Sequence, residues 1–566
     1  MKKIRILAVL AAGLAIAACT STAEKSGGTE TYTGTGTGFN GPIEVSLTMQ
    51  GNRIKDFEVL SSKDTGFILR RALPVLKERI LEANSPVVDS VSGASFTSFG
   101  IKAAVADAAK KTGKDFGSVT FMTRGPEEKP VTLKNVSTEV LIVGGGPAGL
   151  SAAIEAGRAG AKVIVVEKLD ILSGNGKYDR NFFDLADTET QKKYGFEDSA
   201  DKFYGELMAR TSGLDTPERL RVFADWSATT DAWLRQMGVK LEFLLDGKRG
   251  HMKGETEYAG EYIQDALERE IAALGIDVRT GTKGTDLIME DRAAKGVTVQ
   301  HKNESYSIYA DTIIIATGGF AANQELLKRY RPDVADYPTS NQISNTGDFI
   351  PVFEKYGIAM ANMDRLSIFS YTLIPSRDLS SSTEPGTEMI LINTEGKRFV
   401  NERSSGIDRA IWAQPEKMAW YVFDEQAKKA GARIRTQIEK GFGVTGNNPA
   451  ELAAAMKVDQ TNLTAALESY NRAARGQGSD PAGRNPASMR QLTPPYYALP
   501  VRPVVHMTKG GVMANEKAQV LYENGTVVPN LYAAGEVTNT IDGAYAAAVI
   551  FGRVAGTQAA AQVAGK

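Results

Sequence analysis

Between residues 41 and 60 the chain reads GPIEVSLTMQGNRIKDFEVL, with apolar and polar positions alternating on both sides of Gly51-Asn52. A period of two predicts strands, and a Gly-Asn pair between them predicts a β-hairpin with one buried face. Residues 67–83, FILRRALPVLKERILEA, switch to helical spacing, and FGIKAAVADAAKK (99–111) repeats it. Between the two helices stands DSVSGASFTS (89–98), where five hydroxyl residues crowd ahead of a helix. Such side chains satisfy the free N–H groups of a first helical turn, so Thr97 or Ser98 is an expected N-cap. Together these segments predict a small α+β domain over 31–118. The polar, unpatterned residues 20–30 before it are an expected flexible tether, and the charged, proline-containing residues 119–135 after it an expected linker.

A second pattern begins at residue 138. TEVLIVGGGPAGLSAAIEAGRAGAKVIVVEK reads as strand (140–143), glycine turn, helix (148–159), strand (162–166) and an acid, Glu167. Gly144, Gly146 and Gly149 fit G-x-G-x-x-G, which allows a tight turn, close approach of a pyrophosphate and close helix–strand packing. The helix N-terminus faces the phosphates, and Glu167 is placed to accept ribose hydroxyls. Strand, helix, second strand and acid all agree, so this is a dinucleotide site. Far along the chain, DTIIIATGGF (311–320) and VVPNLYAAGEVT (527–538) are two more apolar strands running into glycine-bearing turns.

Composition narrows the class. The 566 residues carry a formal net charge of −1 with both signs interspersed, which speaks against a nucleic-acid partner. The content of 42% hydrophobic residues with 56 glycines suits a large α/β enzyme. The start, MKKIRILAVLAAGLAIAAC, has basic residues and then an apolar run too short for a comfortable membrane span, the layout of a secretory signal. It resembles a bacterial lipoprotein signal. That resemblance implies that Cys19, the one cysteine of the chain, becomes lipidated and tethers an extracytoplasmic protein to a membrane. Without other cysteines, disulfides and thiolate metal sites are excluded, and no His/Cys/carboxylate cluster has metal-ligand spacing.

The three glycine-bearing strands resemble those of the fumarate reductase/succinate dehydrogenase flavoprotein superfamily, especially periplasmic fumarate- and urocanate-type ene-reductases. Supporting stretches are TSNQISNTGD (339–348), LINTEGKRFVNE (391–402), KGGVM (509–513) and AAGEVT (533–538). The resemblance implies an α/β architecture, a Rossmann-like FAD-binding domain (136–369 and 496–566) with an inserted α+β cap domain (370–495). It implies non-covalent FAD held by Ala148, Glu167, Asn175, Thr317, Asp348 and Glu536 beside the glycine turn. Residues 31–118 resemble the FMN-binding domain of NqrC- and RnfG-type electron-transfer subunits. In that family an acid followed by SGAT or SGAS is where a flavin transferase attaches FMN covalently through a phosphoester. Here Asp89 to Ser95 match, so Ser95 is the implied attachment residue.

The catalytic positions depart from the family. The arginine that serves fumarate reductases as proton donor aligns with Pro385, a second arginine is missing after GEVT, and the cap-entry histidine is missing from RLSIFSYTLIP. Candidates to replace them are Tyr371, His506, Lys509 and Tyr545, with Asp542, Glu384, Glu388 and Arg365 as further ones; His251 and His301 read as ordinary surface residues. The leading reading is an ene-reductase. Electrons enter from a membrane quinol or a flavoprotein or cytochrome donor, pass from FMN to FAD, and reach the C=C bond of an α,β-unsaturated carbonyl substrate other than fumarate. The rival is a flavin relay to quinones or metals, for which the missing arginines speak and the retained cap does not.

Overall fold

Alternation in the N-terminal segment becomes a three-stranded antiparallel sheet in the computed structural model of the protein. That model describes residues 28–121, 134–172, 174–178, 183–211, 213–245, 248–255, 257–380, 388–539 and 544–565. The signal segment with Cys19, Glu384, Pro385 and Asp542 lie outside the described residues. The sheet consists of β1 (Thr29–Thr37), β2 (Pro42–Gln50) and β3 (Arg53–Ser62), in that order. β1 begins inside the expected tether. Its sequence hides it, because the inward positions are Gly34 and Gly36 rather than apolar residues. Helix α2 (Ser95–Lys110) lies directly on them, since a Cβ on Gly36 would stand 2.1 Å from the Gly100 carbonyl oxygen. Ile43, Val45, Leu47 and Phe57 close the core with Leu76 of helix α1 (Gly66–Ala83) and Ile101 and Val105 of α2.

α2 starts four residues earlier than its spacing suggests, with Ala94 at the N-cap and no side-chain cap. Neither Thr97 nor Ser98 caps it. Thr97 donates its hydroxyl to Asp64 at 2.8 Å, and the Ser98 hydroxyl accepts from the Val91 N–H at 3.1 Å.

The second domain is built on parallel strands. β4 (Val136–Val143), α3 (Pro147–Arg158) and β5 (Val163–Val166) form the expected β-α-β unit, and β4 is flanked by β5 and by the strand Glu304–Ile315. Asp277–Arg279 extends the sheet beside β5, and Val527–Ala533 extends it beside Glu304–Ile315, all parallel. The C-terminal helix Ala544–Ala564 packs on α3 through Gly552 and Gly556. A Cβ on either would come within 2.3 Å of an α3 carbonyl oxygen, that of Ala148 or Ala152.

The inserted unit is an antiparallel five-stranded sheet of Leu366–Leu373, Tyr496–Thr508, Ala419–Asp424 and Met389–Ile392, with Val444–Gly446 paired to Tyr496–Thr508. Its sheet starts before residue 370 and its central strand runs beyond 495, so Tyr496–Thr508 serves both the cap and the FAD-binding domain. Tyr421, Leu499 and Val501 pack on one face, and Ile390, Leu452 and Leu467 on the other.

The N-terminal domain docks on the second through charge and through its own core. Arg71 pairs with Asp265 (2.6 Å) and Glu268 (3.0 Å), and Arg79 pairs with Asp170 (3.0 Å). Ser92 and Asp170 exchange two hydrogen bonds: the Ser92 N–H donates to the carboxylate at 2.7 Å, and the Asp170 N–H donates to the Ser92 hydroxyl at 2.8 Å. Ile171 of the second domain is buried in the first domain's hydrophobic cluster.

A Gly552→Val substitution drives a branched side chain into the Ala148 backbone, and overpacking of this kind costs about 3 kcal/mol. A fall of about 5–10 °C in Tm with loss of bound FAD is expected in thermal unfolding followed by flavin fluorescence.

Candidate functional site

The parallel strands end level with one another. Val143 pairs with Val166, and Ile315 pairs with both Val143 and Ala533, so four carboxyl ends share one edge of the sheet. The ladder continues one step into the turns: Ala316 N–H donates to Val143, Gly144 N–H to Val166, and Ala534 N–H to Ile315. Open parallel sheets bind ligands in the crevice outside these ends. Here that crevice opens into a cavity of about 780 Å³ that also reaches the N-terminal domain and the cap.

Gly144, Gly146, Ala148, Glu167, Asn175, Thr317, Asp348 and Glu536 all line it. Gly149 does not, and its part is packing: a Cβ there would meet the Gly144 carbonyl oxygen at 1.9 Å. The Glu167 carboxylate is oriented by the N–H groups of Gly145 and Leu169, each at 2.8 Å. Asn175 donates to the Asn341 side chain and accepts from the Gln342 N–H, tying the short turn Gly174–Tyr178 to the 339–348 segment. Asp348 bonds Lys168 at 2.7 Å and Lys283 at 3.1 Å. Burial would raise its carboxyl, but these two ammonium groups more than offset that and hold it below the usual range. The Glu536 carboxyl is pushed up by desolvation, in part relieved by hydrogen bonds from the Thr508 N–H and hydroxyl. The Thr317 hydroxyl and the Asn345 side-chain oxygen are buried with no hydrogen-bond partner among the described residues. Orphaned polar atoms beside a glycine turn, a helix N-terminus and an acid fit a bound dinucleotide.

Ser95 lines the same cavity from the other side. Of the five hydroxyls in the 89–98 stretch, four are engaged: Ser90 with the Phe121 carbonyl, Ser92 with Asp170, Thr97 with Asp64 and Ser98 with Val91. The Ser95 hydroxyl has no partner among the described residues, and it sits on the first, uncapped turn of a 16-residue helix. An anion is stabilised by free N–H groups in that position, which fits a phosphate group there.

The expected catalytic residues divide. His506 lines the cavity at the end of Tyr496–Thr508, with Nδ1 2.9 Å from the Ser340 hydroxyl and its ring against the edge of Phe369. Burial, aided by the charge of Arg433, holds its pKa down at about 4. Tyr545 also lines the cavity, and its hydroxyl donates to the Gly260 carbonyl at 3.2 Å. Tyr371 and Lys509 are not among the lining residues. Tyr371 packs edge-on against Tyr421 inside the cap while Phe369 and Ser367 face the cavity, because a break in the strand pairing between Phe369 and Thr372 interrupts the alternation that would put all three on one face. Glu388 is buried in the cap with Arg484 and the Tyr470 hydroxyl, and Arg365 is exposed beside Asp364. His251 is no surface residue; it is fully buried between Thr188 and the Arg249 carbonyl. His301 is half-buried against Thr282 and Gly281.

Two cap cations escaped the sequence reading. Arg377 lines the cavity, and Arg433, on the helix Ala432–Glu439, donates to the Leu379 carbonyl at its wall. Neither lies in a motif, so their place depends on how the cap folds back.

Residues 139–550 match the family model of the FAD binding domain, and residues 38–110 that of the FMN-binding domain. The chain is 32% identical over 510 residues to the NADH:fumarate oxidoreductase of Klebsiella pneumoniae strain 342, covering 88% of this chain and 54% of that protein. It thus spans about half the length of that relative. It is 26% identical over 577 residues to the urocanate reductase of Eggerthella lenta, covering 94% and 92%. Among solved structures, the open conformation of a flavocytochrome c3 fumarate reductase aligns with a TM-score of 0.70 at 31% identity, covering 76% of this chain and 79% of that one. Fold and site therefore define a two-flavin oxidoreductase with FAD and FMN as cofactors. The chain belongs to the fumarate reductase/succinate dehydrogenase flavoprotein superfamily and carries an FMN-binding domain on its N-terminal side.

With a folded pKa near 4, His506 stays neutral at physiological pH. Between pH 6.5 and about 4 the unfolded chain holds a proton on this residue that the folded one does not. Acidification through that window therefore removes about 3 kcal/mol of stability. With three histidines in the chain, ¹⁵N-histidine labelling separates the resonances. The His506 ring is expected to titrate about two units below a free imidazole.

Proposed function

We propose that the protein is an ene-reductase acting on an α,β-unsaturated carbonyl compound other than fumarate. When bound, the two flavins would supply electron transfer and the hydride that adds to one alkene carbon, and a proton taken up from solvent in the cavity adds to the other. The observation that carries the reading is the single cavity joining Ser95, the carboxyl ends of the FAD-domain strands, and His506 under the cap.

Each group has a defined task in this proposal. Ser95 carries FMN through a phosphoester made by a flavin transferase: the Ser95 oxygen bonds the FMN phosphorus of an FAD donor, the phosphoanhydride breaks with AMP as leaving group, the hydroxyl proton passes to the transferase, and the uncapped turn of α2 receives the phosphate charge. Gly144, Gly146 and Ala148 let a pyrophosphate approach the backbone, and Glu167 orients a ribose. His506 is neutral, and with Nδ1 engaged by Ser340 its other ring nitrogen is the hydrogen-bond donor for the substrate carbonyl. Arg377 and Arg433 bring positive charge from the cap side, where a carbonyl or carboxylate gains negative charge during reduction. The family arginines are missing at Pro385 and after Glu536, which speaks against a dicarboxylate held at both ends. Tyr371 and Lys509 have no direct part, and Tyr545 acts in shaping the wall.

The start of the chain supports a location outside the cytoplasm, with lipid on Cys19 and a membrane quinol, flavoprotein or cytochrome as electron donor.

The test is anaerobic reoxidation of the reduced, flavin-loaded protein by unsaturated acids, enones, quinones and ferric chelates. Selective reoxidation by one alkene is expected. His506→Gln lowers kcat/KM for it about a hundredfold, as removal of a polarising donor does, and Ser95→Ala removes the denaturation-resistant fluorescent flavin. Unselective reoxidation by quinones and iron alone defeats the reading in favour of a relay.

A further inference from the structure

Large exposed apolar side chains are few among the described residues, and two of them meet. Nine large hydrophobics are well exposed among the described residues, and three of them, Phe96, Phe121 and Ile343, line the cavity described above. Phe96 is 49% exposed and Phe121 37% exposed, yet they meet edge to face with centroids 4.5 Å apart. Phe39 joins them, 5.3 Å from Phe96. Ile343 stands on the opposite, FAD-domain wall. Contiguous apolar surface left open to water marks a binding site rather than a core.

The three rings come from three separate segments, and a buried polar group fixes each segment. Asp64, 8% exposed, accepts from the Phe39 N–H (3.2 Å), the Asn40 N–H (2.9 Å) and the Thr97 hydroxyl (2.8 Å). One carboxylate thereby binds the β1–β2 turn to the first turn of α2 and sets Phe39 against Phe96. The fully buried Lys102 donates to the carbonyls of Val88 (2.8 Å) and Thr120 (3.1 Å). Ser90 donates to the carbonyl of Phe121 at 2.7 Å, so the segment carrying Phe121 is held from two sides. Rings so firmly placed, yet left open, have the geometry of a preorganised aromatic seat. Phe96 follows Ser95 directly, and Asn40 and Thr65 offer an amide and a hydroxyl along the same wall.

We propose that Phe39, Phe96 and Phe121 form the seat for the isoalloxazine ring of the FMN carried on Ser95, on the side of the cavity that faces the FAD-binding crevice. This rests on Ser95 being the attachment residue. The seat makes the covalent flavin a fixed wall of the shared cavity rather than a group swinging on its phosphoester.

The experiment uses the full flavinylated chain with Phe96→Leu and Phe121→Leu, and Ser95→Ala as the reference that retains FAD alone. Covalent FMN is quantified by fluorescence after denaturing electrophoresis. In the native state, visible circular dichroism and iodide quenching are read after subtraction of the reference. Both variants are expected to keep covalent FMN and FAD. Their FMN becomes about threefold more accessible to iodide, as release from an apolar seat exposes the ring to solvent, and its dichroic band shrinks. Full flavinylation with unchanged quenching and dichroism overturns the seat and leaves the attachment intact. Variants that keep FAD but acquire no covalent FMN also overturn it, placing the phenylalanines in transferase recognition. A wild-type chain without covalent flavin overturns the attachment itself, and the seat with it.

Discussion

The structure depends on the register of four parallel strands. Val143, Val166, Ile315 and Ala533 sit level in one ladder, although almost four hundred residues separate the first from the last. Each strand releases its chain at the same edge, so the glycine turn, Glu167, Thr317 and Glu536 converge without any of them touching in sequence. Displacing one strand by a residue would exchange the side chains that its two buried faces present to the packing on either side and move its terminal turn away from the cavity. Gly144 protects that register, because it lies against the Ala316 backbone with no room for a side chain, and Gly552 lets the C-terminal helix pack as closely on α3 at Ala148.

Docking of the FMN-binding domain is the second constraint, and it acts through the hydroxyl-rich 89–98 stretch itself. Ser92 exchanges hydrogen bonds with Asp170, and Arg79 pairs with the same carboxylate. Gly93, at φ +92°, leaves space that Ile171 approaches, since a Cβ there would be 3.0 Å from its side chain. The small residues that suit a phosphate therefore also suit contact with the neighbouring domain. Ile171 completes the first domain's core, so the two flavin domains share buried apolar surface and not only charge.

Legibility followed periodicity. The hairpin, α1, the β-α-β unit and both later glycine-bearing strands stand where alternation and turn residues put them. β1 was missed because glycines occupy its buried face, and α2 began early because the hydroxyls that look like caps are spent on Asp64 and Val91. The residues that line the crevice at the strand ends were readable because their motifs have fixed local geometry. The cap side chains that reach the cavity were not, because a break in strand pairing between Phe369 and Thr372, which no motif announces, sends Phe369 to the cavity and Tyr371 to the cap core. Arg377, Arg433 and the phenylalanine cluster carry no motif at all.

The amino-acid sequence by itself determined the elements and the chemistry tied to them: strands ending in glycine turns, an acid at the right distance, and a serine at the head of a helix. These depend on backbone conformation over a few residues, which local composition dictates. Only the tertiary structure decided which side chains share the cavity. That choice turns on strand register, on the return of the cap through Tyr496–Thr508, and on the docking of two domains, all set by long-range packing that no short stretch encodes.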